Sequence, residues 1–168
     1  MITKWNFQTP TEEELHKRDR LASQLGLSPV VCLLLVQRGL TTVEEVKKFF
    51  KPSLNDLHDP FLMPDMEKAV KRLNKALGNK EKILIYGDYD VDGTTAVSLV
   101  YKYLRPYSSA LDYYIPDRYD EGYGISYKGI NYARENGITL VISLDCGIKA
   151  IEKIEYAKQL GIDFIICD

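Results

Sequence analysis

Asp88, Asp90 and Asp92 occupy alternate positions in the stretch Ile83 to Thr95, ILIYGDYDVDGTT. An apolar run, Ile83-Leu84-Ile85, precedes them, Gly87 breaks it, Gly93 closes the turn, and a helical apolar period begins at Ala96. The pattern predicts three carboxylates on one tight loop between a buried strand and a helix. In an open α/β sheet the carboxyl end of a strand is where ligands bind. Three negative charges so close repel one another, and an opposite charge must offset that. An all-oxygen cluster favours a hard divalent ion such as manganese or magnesium.

The same logic recurs twice. Leu140-Val141-Ile142-Ser143-Leu144 ends at Asp145-Cys146-Gly147, and Phe164-Ile165-Ile166-Cys167 ends at Asp168. Parallel strands place their carboxyl ends along one edge, so Asp145 and Asp168 reach the first cluster if the strands are neighbours. The competing explanation is that each Asp merely caps the following helix. Between these segments runs Pro116-Asp117-Arg118-Tyr119-Asp120-Glu121-Gly122-Tyr123-Gly124. There Arg118 offers a planar fork for a phosphate, and Tyr119 or Tyr123 a face on which a base can stack. A Gly-rich surface loop with packed tyrosines is the plainer alternative. Lys149 is a weaker phosphate candidate.

Other chemistries lack their residues. His16 and His58 lie far in sequence from the cluster, so no Ser-His-Asp set forms. Cys146 has no evident base beside it and reads as a small buried residue. There is neither a Walker loop nor a Gly-x-Gly-x-x-Gly fingerprint. Metal-assisted hydrolysis is what remains, with two ions activating a water and stabilising charge on a phosphoryl group.

The elements that must position these residues fall into two parts. Up to Asn79 the pattern is helical. Thr11 with Glu14, and Thr42 with Glu45, form capping boxes for helices ending near Gln24 and at Phe50. Pro29 opens a helix whose Val30 to Val36 is apolar nearly all round, which predicts burial. Lys51 to Pro64 reads as an extended connection, and Asp65 as the cap of a fourth helix. From Lys80 strands and helices alternate: strands Lys82–Tyr86, Leu111–Ile115, Thr139–Leu144 and Asp163–Cys167, and helices Thr94–Leu104, Ser126–Glu135 and Ile148–Leu160. That alternation means βαβ units, a parallel sheet flanked by helices, and right-handed crossovers. The expected domains are a small all-helical segment, 1–79, and an α/β domain, 80–168.

Composition sets the outer bounds. The 168 residues are 45% hydrophobic and 27% charged, as expected of a soluble globular protein. No apolar run spans a bilayer and no signal-peptide core opens the chain, which predicts a cytoplasmic location. Three scattered cysteines form no disulfide framework and no zinc pattern. A net charge of −2 excludes a wholly basic nucleic-acid binder, but not a nucleic-acid substrate drawn in by bound cations or a local basic groove.

Two rival motifs fit less well. Asp88-x-Asp90-x-Asp92-Gly93 copies the start of an EF-hand loop, but the twelfth position is Leu99 and a strand precedes it. Asp90-Val91-Asp92-Gly93-Thr94 resembles the nucleophile motif of haloacid-dehalogenase-type phosphatases, with Asp90 as nucleophile, yet there the first Asp directly follows the strand.

The fuller match is to another family. Asp88-Tyr89-Asp90-Val91-Asp92-Gly93 resembles motif I of the DHH phosphoesterase superfamily, and Ser143-Leu144-Asp145-Cys146-Gly147 its motif II. Ile165-Ile166-Cys167-Asp168 is similar to the approach to motif III, an Asp followed by two histidines. Pro116-Asp117-Arg118 with Gly122-Tyr123-Gly124, and the helical lead through Asp56-Leu57-His58-Asp59-Pro60-Phe61, resemble its single-stranded-DNA-specific exonucleases. The resemblance implies a 5′-to-3′ exonuclease of DNA repair and recombination with two manganese or magnesium ions. It implies Asp88, Asp90, Asp92, Asp145 and Asp168 as metal ligands, with Asp90 and Asp92 catalytic. Arg118 becomes a phosphate or DNA contact, with Tyr123 beside it as the candidate for base stacking; single-stranded DNA is the implied partner, and other repair proteins are possible partners. It also implies a DHH-type fold that is incomplete here, an N-terminal fragment close to inactive alone. The non-enzymatic alternative is a DHH-like scaffold that keeps the fold without catalysis.

Overall fold

The computed structural model describes residues 9–168 and divides into two compact units, one up to Asp59 and one from Pro60 to Asp168. The first unit holds helices α1 (Glu12–Leu25), α2 (Pro29–Gln37) and α3 (Val43–Phe50). Both capping boxes form: Thr11 and Thr42 each accept the amide of the glutamate three residues on, which reaches back to the cap's own N–H. Leu21, Cys32, Leu35, Val36 and Val46 make a small core. The burial expected for all of α2 does not hold. Its Cys32, Leu35 and Val36 are buried, but Val30 is 69% and Leu34 48% exposed. A short helix buries one stripe against two neighbours, whatever the residues on its other side.

The connection after α3 is not simply extended. Leu54–Asp56 and Pro60–Leu62 form short 3₁₀ turns, the first closed by the Asp56 carboxylate accepting the Ser53 N–H at 2.8 Å. Helix α4 (Met66–Gly78) follows, and Asp65 before it adopts a left-handed φ of 59° with no side-chain capping bond. Leu73, Ala76 and Leu77 of α4 pack into the core of the second unit. Compactness thus groups α4 with the strands that follow it, because the apolar face of α4 is satisfied by the sheet.

That sheet has four parallel strands in the order β2-β1-β3-β4: β1 (Ile83–Gly87), β2 (Leu111–Tyr114), β3 (Leu140–Leu144) and β4 (Asp163–Cys167). Helix α5 (Val91–Leu104) connects β1 to β2, α6 (Tyr127–Glu135) connects β2 to β3, and α7 (Ile151–Gln159) connects β3 to β4. The first crossover runs one way along the sheet and the next two the other way. Crossovers of one hand must then put α5 on one face and α6 and α7 on the other. The packing agrees. Ile83, Ile85, Leu140 and Ile142 meet α4 and α5, while Leu84, Tyr86 and Val141 meet α6 and α7. Residues alternate faces along each strand, so both faces are apolar and β1 and β3 are buried throughout. The chain leaves β1 and β3 in opposite directions, and such a switch point opens a crevice at the carboxyl ends of the strands.

Candidate metal centre

Register brings the aspartates together. Gly87 pairs with Leu144, and Leu144 with Cys167. Asp88, Asp145 and Asp168 are the next residue on each of three adjacent strands, and so lie side by side along one edge. Neighbouring strands are roughly 4.8 Å apart, so three carboxylates line about 10 Å of that edge.

Asp88 is fully buried. Its Oδ1 accepts the Gly124 N–H at 3.3 Å, while its Oδ2 is buried without a hydrogen-bond partner. A buried carboxylate oxygen left unpaired is costly, and a cation at that spot offsets it. The approach to Asp88 is made by glycines. A Cβ on Gly93 would lie 2.5 Å from the Asp88 carbonyl oxygen and 2.7 Å from its nitrogen. A Cβ on Gly87 would strike Val97 Cγ2 and lie 2.8 Å from the Gly93 carbonyl oxygen. With no side chain at either position, the first turn of α5 presses against the end of β1.

That helix begins at Val91, three residues before the expected start at Thr94. Asp90 is the N-cap, with Oδ1 accepting the Gly93 N–H at 2.9 Å, so Asp92 sits in the first helical turn and not on a loop. The capping role weighed against metal chemistry is thus real for Asp90, though it occupies one oxygen of one aspartate. Asp145 adopts a left-handed φ of 57°, an uncommon conformation for a residue with a Cβ and one that clusters at functional sites. Its N–H donates to the Cys167 carbonyl at 2.8 Å, tying it to β4. Asp168 Oδ2 accepts the Ile148 N–H at 2.9 Å. Partial burial, followed by the charges of Asp90, Asp92, Asp168 and Asp88, holds the Asp145 carboxyl above its usual range. The other four aspartates therefore all lie near enough to Asp145 for their charges to act on it.

Hard oxygen donors with an unpaired buried oxygen suit a divalent cation of the manganese or magnesium type. Among the described residues, no three His, Cys, Asp or Glu side chains already stand in a coordinating arrangement. Asp90 and Asp168 point one oxygen each at a backbone amide instead.

The loop between β2 and α6 covers this edge. Tyr123 faces the acids: burial first, then the charges of Asp88, Asp145 and Asp90, raise its phenol pKa. Its ring meets Tyr89 edge-on at 6.1 Å, and the Arg118 guanidinium lies 5.2 Å from the Tyr89 ring centre. Arg118 and Tyr123 thus both stand at the rim of the acidic edge. Tyr119 is 95% exposed, and among the described residues its ring packs on no other aromatic ring. His16 and His58 are exposed residues of the first unit, and among the described residues the Lys149 side chain makes no hydrogen bond or ion pair. Cys146 is buried with its thiol pushed up to about 12, first by burial and then by Asp88.

Residues the sequence reading passed over hold this loop. Glu121 accepts the Tyr114 hydroxyl at 2.9 Å, the Asp117 N–H at 2.9 Å and the Ser126 hydroxyl. The Tyr86 hydroxyl donates to the Gly124 carbonyl at 2.9 Å and accepts the Ser126 N–H at 3.1 Å. Lys153 Nζ donates to the Ile125 carbonyl at 2.6 Å. A tyrosine in an otherwise aliphatic strand and a glutamate inside a Gly-rich loop were the available signals. Buried hydroxyls find partners, and a loop carboxylate gathers donors.

A parallel sheet with aspartates at three adjacent strand ends is thus the frame of this site. Residues 82–168 match the DHH family, N-terminal domain, and the chain belongs to that family. It is similar to the single-stranded-DNA-specific exonuclease RecJ of Bacillus subtilis (strain 168), at 40% identity over 165 residues, which cover 98% of this chain and 21% of that protein. RecJ of Escherichia coli (strain K12) is 32% identical over 144 residues, covering 84% of this chain and 24% of that one. A crystal structure of exonuclease RecJ bound to manganese superposes with a TM-score of 0.57 at 28% identity, covering 64% of this chain and 28% of that one. RecJ from Thermus thermophilus, in complex with Mn²⁺, shares the fold with a TM-score of 0.65 at 22% identity, covering 90% of this chain and 20% of that one. The chain thus spans between a fifth and a quarter of the length of these curated relatives. DHH membership displaces the dehalogenase-type alternative, and among the described residues no helix is long and apolar enough to cross a membrane.

Proposed function

We propose that this chain supplies metal-binding carboxylates to a divalent-metal-dependent exonuclease that degrades single-stranded DNA from its 5′ end. The unpaired, fully buried Oδ2 of Asp88 beside the strand-end Asp145 and Asp168 carries the reading. Asp88, Asp145 and Asp168 would hold the ions from the sheet edge, and Asp90 and Asp92 from the start of α5. Bound manganese or magnesium ions, two in this reading, lower the pKa of a water and neutralise charge on the phosphoryl group. Arg118 supplies a planar fork for a backbone phosphate, and Tyr123 a ring at the rim for the neighbouring base. Asp90 keeps one oxygen on the helix cap, so its other oxygen is the one available for chemistry. The buried, unpaired carboxylate oxygen favours a cation site over a scaffold that keeps only the fold.

The same reading places the protein in the cytoplasm with its DNA, where other repair proteins are partners, and expects this span alone to cut DNA hardly at all. Manganese titrated into the chain in a calorimeter should give a saturable heat that Asp88→Asn abolishes. In the longest natural form of the protein, Asp90→Ala should stop digestion of 5′-labelled single-stranded DNA. An Asp88→Asn titration indistinguishable from wild type, or undiminished digestion by Asp90→Ala, overturns the reading.

A further inference from the structure

Among the described residues, the one hydrogen bond from residues 121–126 to Asp88 is the Gly124 N–H on Oδ1. Nothing intrinsic keeps the segment there. Gly122 and Gly124 both adopt φ of +79°, a region glycine enters and leaves freely. What fixes it is a set of side chains that touch neither the aspartates nor the rim. Tyr86, on β1 two residues before Asp88, bonds the Gly124 carbonyl and the Ser126 amide through one hydroxyl. Its ring stacks on Tyr114 at 5.4 Å between centres, and Tyr114 in turn donates to Glu121. Glu121 closes the loop on itself by also taking the Asp117 N–H and the Ser126 hydroxyl. The Ser126 hydroxyl oxygen meanwhile accepts the Gly129 N–H at 2.8 Å and caps α6. The loop is thereby tied to β1, β2 and α6 at once, and the Gly124 amide is aimed at one oxygen of one carboxylate.

We propose that Glu121 and Tyr86 are positioning residues of the metal centre: they hold the 121–126 strap so that Gly124 engages Asp88 Oδ1 and leaves Oδ2 free for a cation. The inference rests on the metal-site reading above. A ligating carboxylate that is itself hydrogen-bonded binds its metal in one orientation, and loss of such outer partners weakens binding by about 10–100-fold. Glu121→Gln replaces one accepting oxygen with a donor, so either the Asp117 N–H or the Ser126 hydroxyl loses its acceptor. Tyr86→Phe removes both backbone contacts and keeps the stacked ring.

The test is a manganese titration of the whole chain, with hydrogen exchange of the Gly124 and Ser126 amides read alongside. Both variants should bind manganese about 10-fold more weakly while melting cooperatively, and both amides should exchange faster. Leu104→Ala, a core cavity at the far end of α5, should lower the melting temperature without moving the affinity, which separates positioning from general stability. If Glu121→Gln does not fold, Tyr86→Phe decides. Wild-type affinity in the folded variants, with Asp88→Asn still abolishing binding, overturns the inference and leaves the metal site standing. Absence of saturable binding in the wild-type chain brings down both.

Discussion

The loops leaving β1 and β3 begin alike and end differently. Each starts with an Asp one residue beyond paired strand ends. After β1 the helix forms at once: Asp90 caps it, two glycines let it press on Asp88, and Asp88 is buried. After β3 the chain turns through a left-handed Asp145, and α7 begins only at Ile151 with no side-chain cap. The first loop gains its order from close packing and a cap, and the second stores backbone strain. One side of the site is therefore rigid and the other tense, although both begin as strand, Asp and tight turn.

The sharpest way to break the contrast is at the rigid side. Gly93→Ala puts a Cβ 2.5 Å from the Asp88 carbonyl oxygen, so the start of α5 must move away. We expect a loss of about 3 kcal/mol, measured by urea denaturation, with manganese binding lost as well. An unchanged midpoint would mean that the helix is free to shift and the rigidity is illusory.

A smaller effect sharpens the two roles of Asp90. Asp90→Ala removes the cap and should cost about 1 kcal/mol, whereas Asp90→Ser keeps a capping oxygen and should melt close to wild type. Both should lose the metal-dependent function. Equal destabilisation by the two variants would show that the cap on Gly93 contributes nothing.

The least effect is expected on the tense side. Asp145→Gly relieves the left-handed backbone and removes a charge from the cluster, so the metal-free chain should melt about 2–4 °C higher. pH sharpens this. The folded Asp145 carboxyl holds its proton at higher pH than the unfolded one, so its ionisation costs stability as pH rises through the interval between the two values. The advantage of Asp145→Gly should therefore shrink when the pH is lowered below the usual carboxylate range. A pH-independent difference would assign the whole effect to the backbone.

Much of this was legible in order along the chain. Apolar runs ending in Asp marked β1, β3 and β4, and Thr-x-x-Glu marked two helix starts. Boundaries were less legible where packing overrode local preference. Helix α5 starts at Val91 because Gly87 and Gly93 let it meet the strand, a contact between chain segments that no apolar period encodes. The exposed side of α2 shows the reverse, since composition predicts burial but only neighbours provide it.

Residue types alone determined that acids sit at the ends of apolar strands, because the sequence of apolar run and Asp is local and each strand carries its own signal. Only the tertiary structure decided the strand order and the register that set Asp88, Asp145 and Asp168 side by side. It alone decided which oxygen of Asp88 goes unpaired, and that Tyr86 and Glu121 hold the loop above it. Those depend on backbone pairing and side-chain reach between segments distant in sequence, and such contacts exist only once the chain has closed on itself.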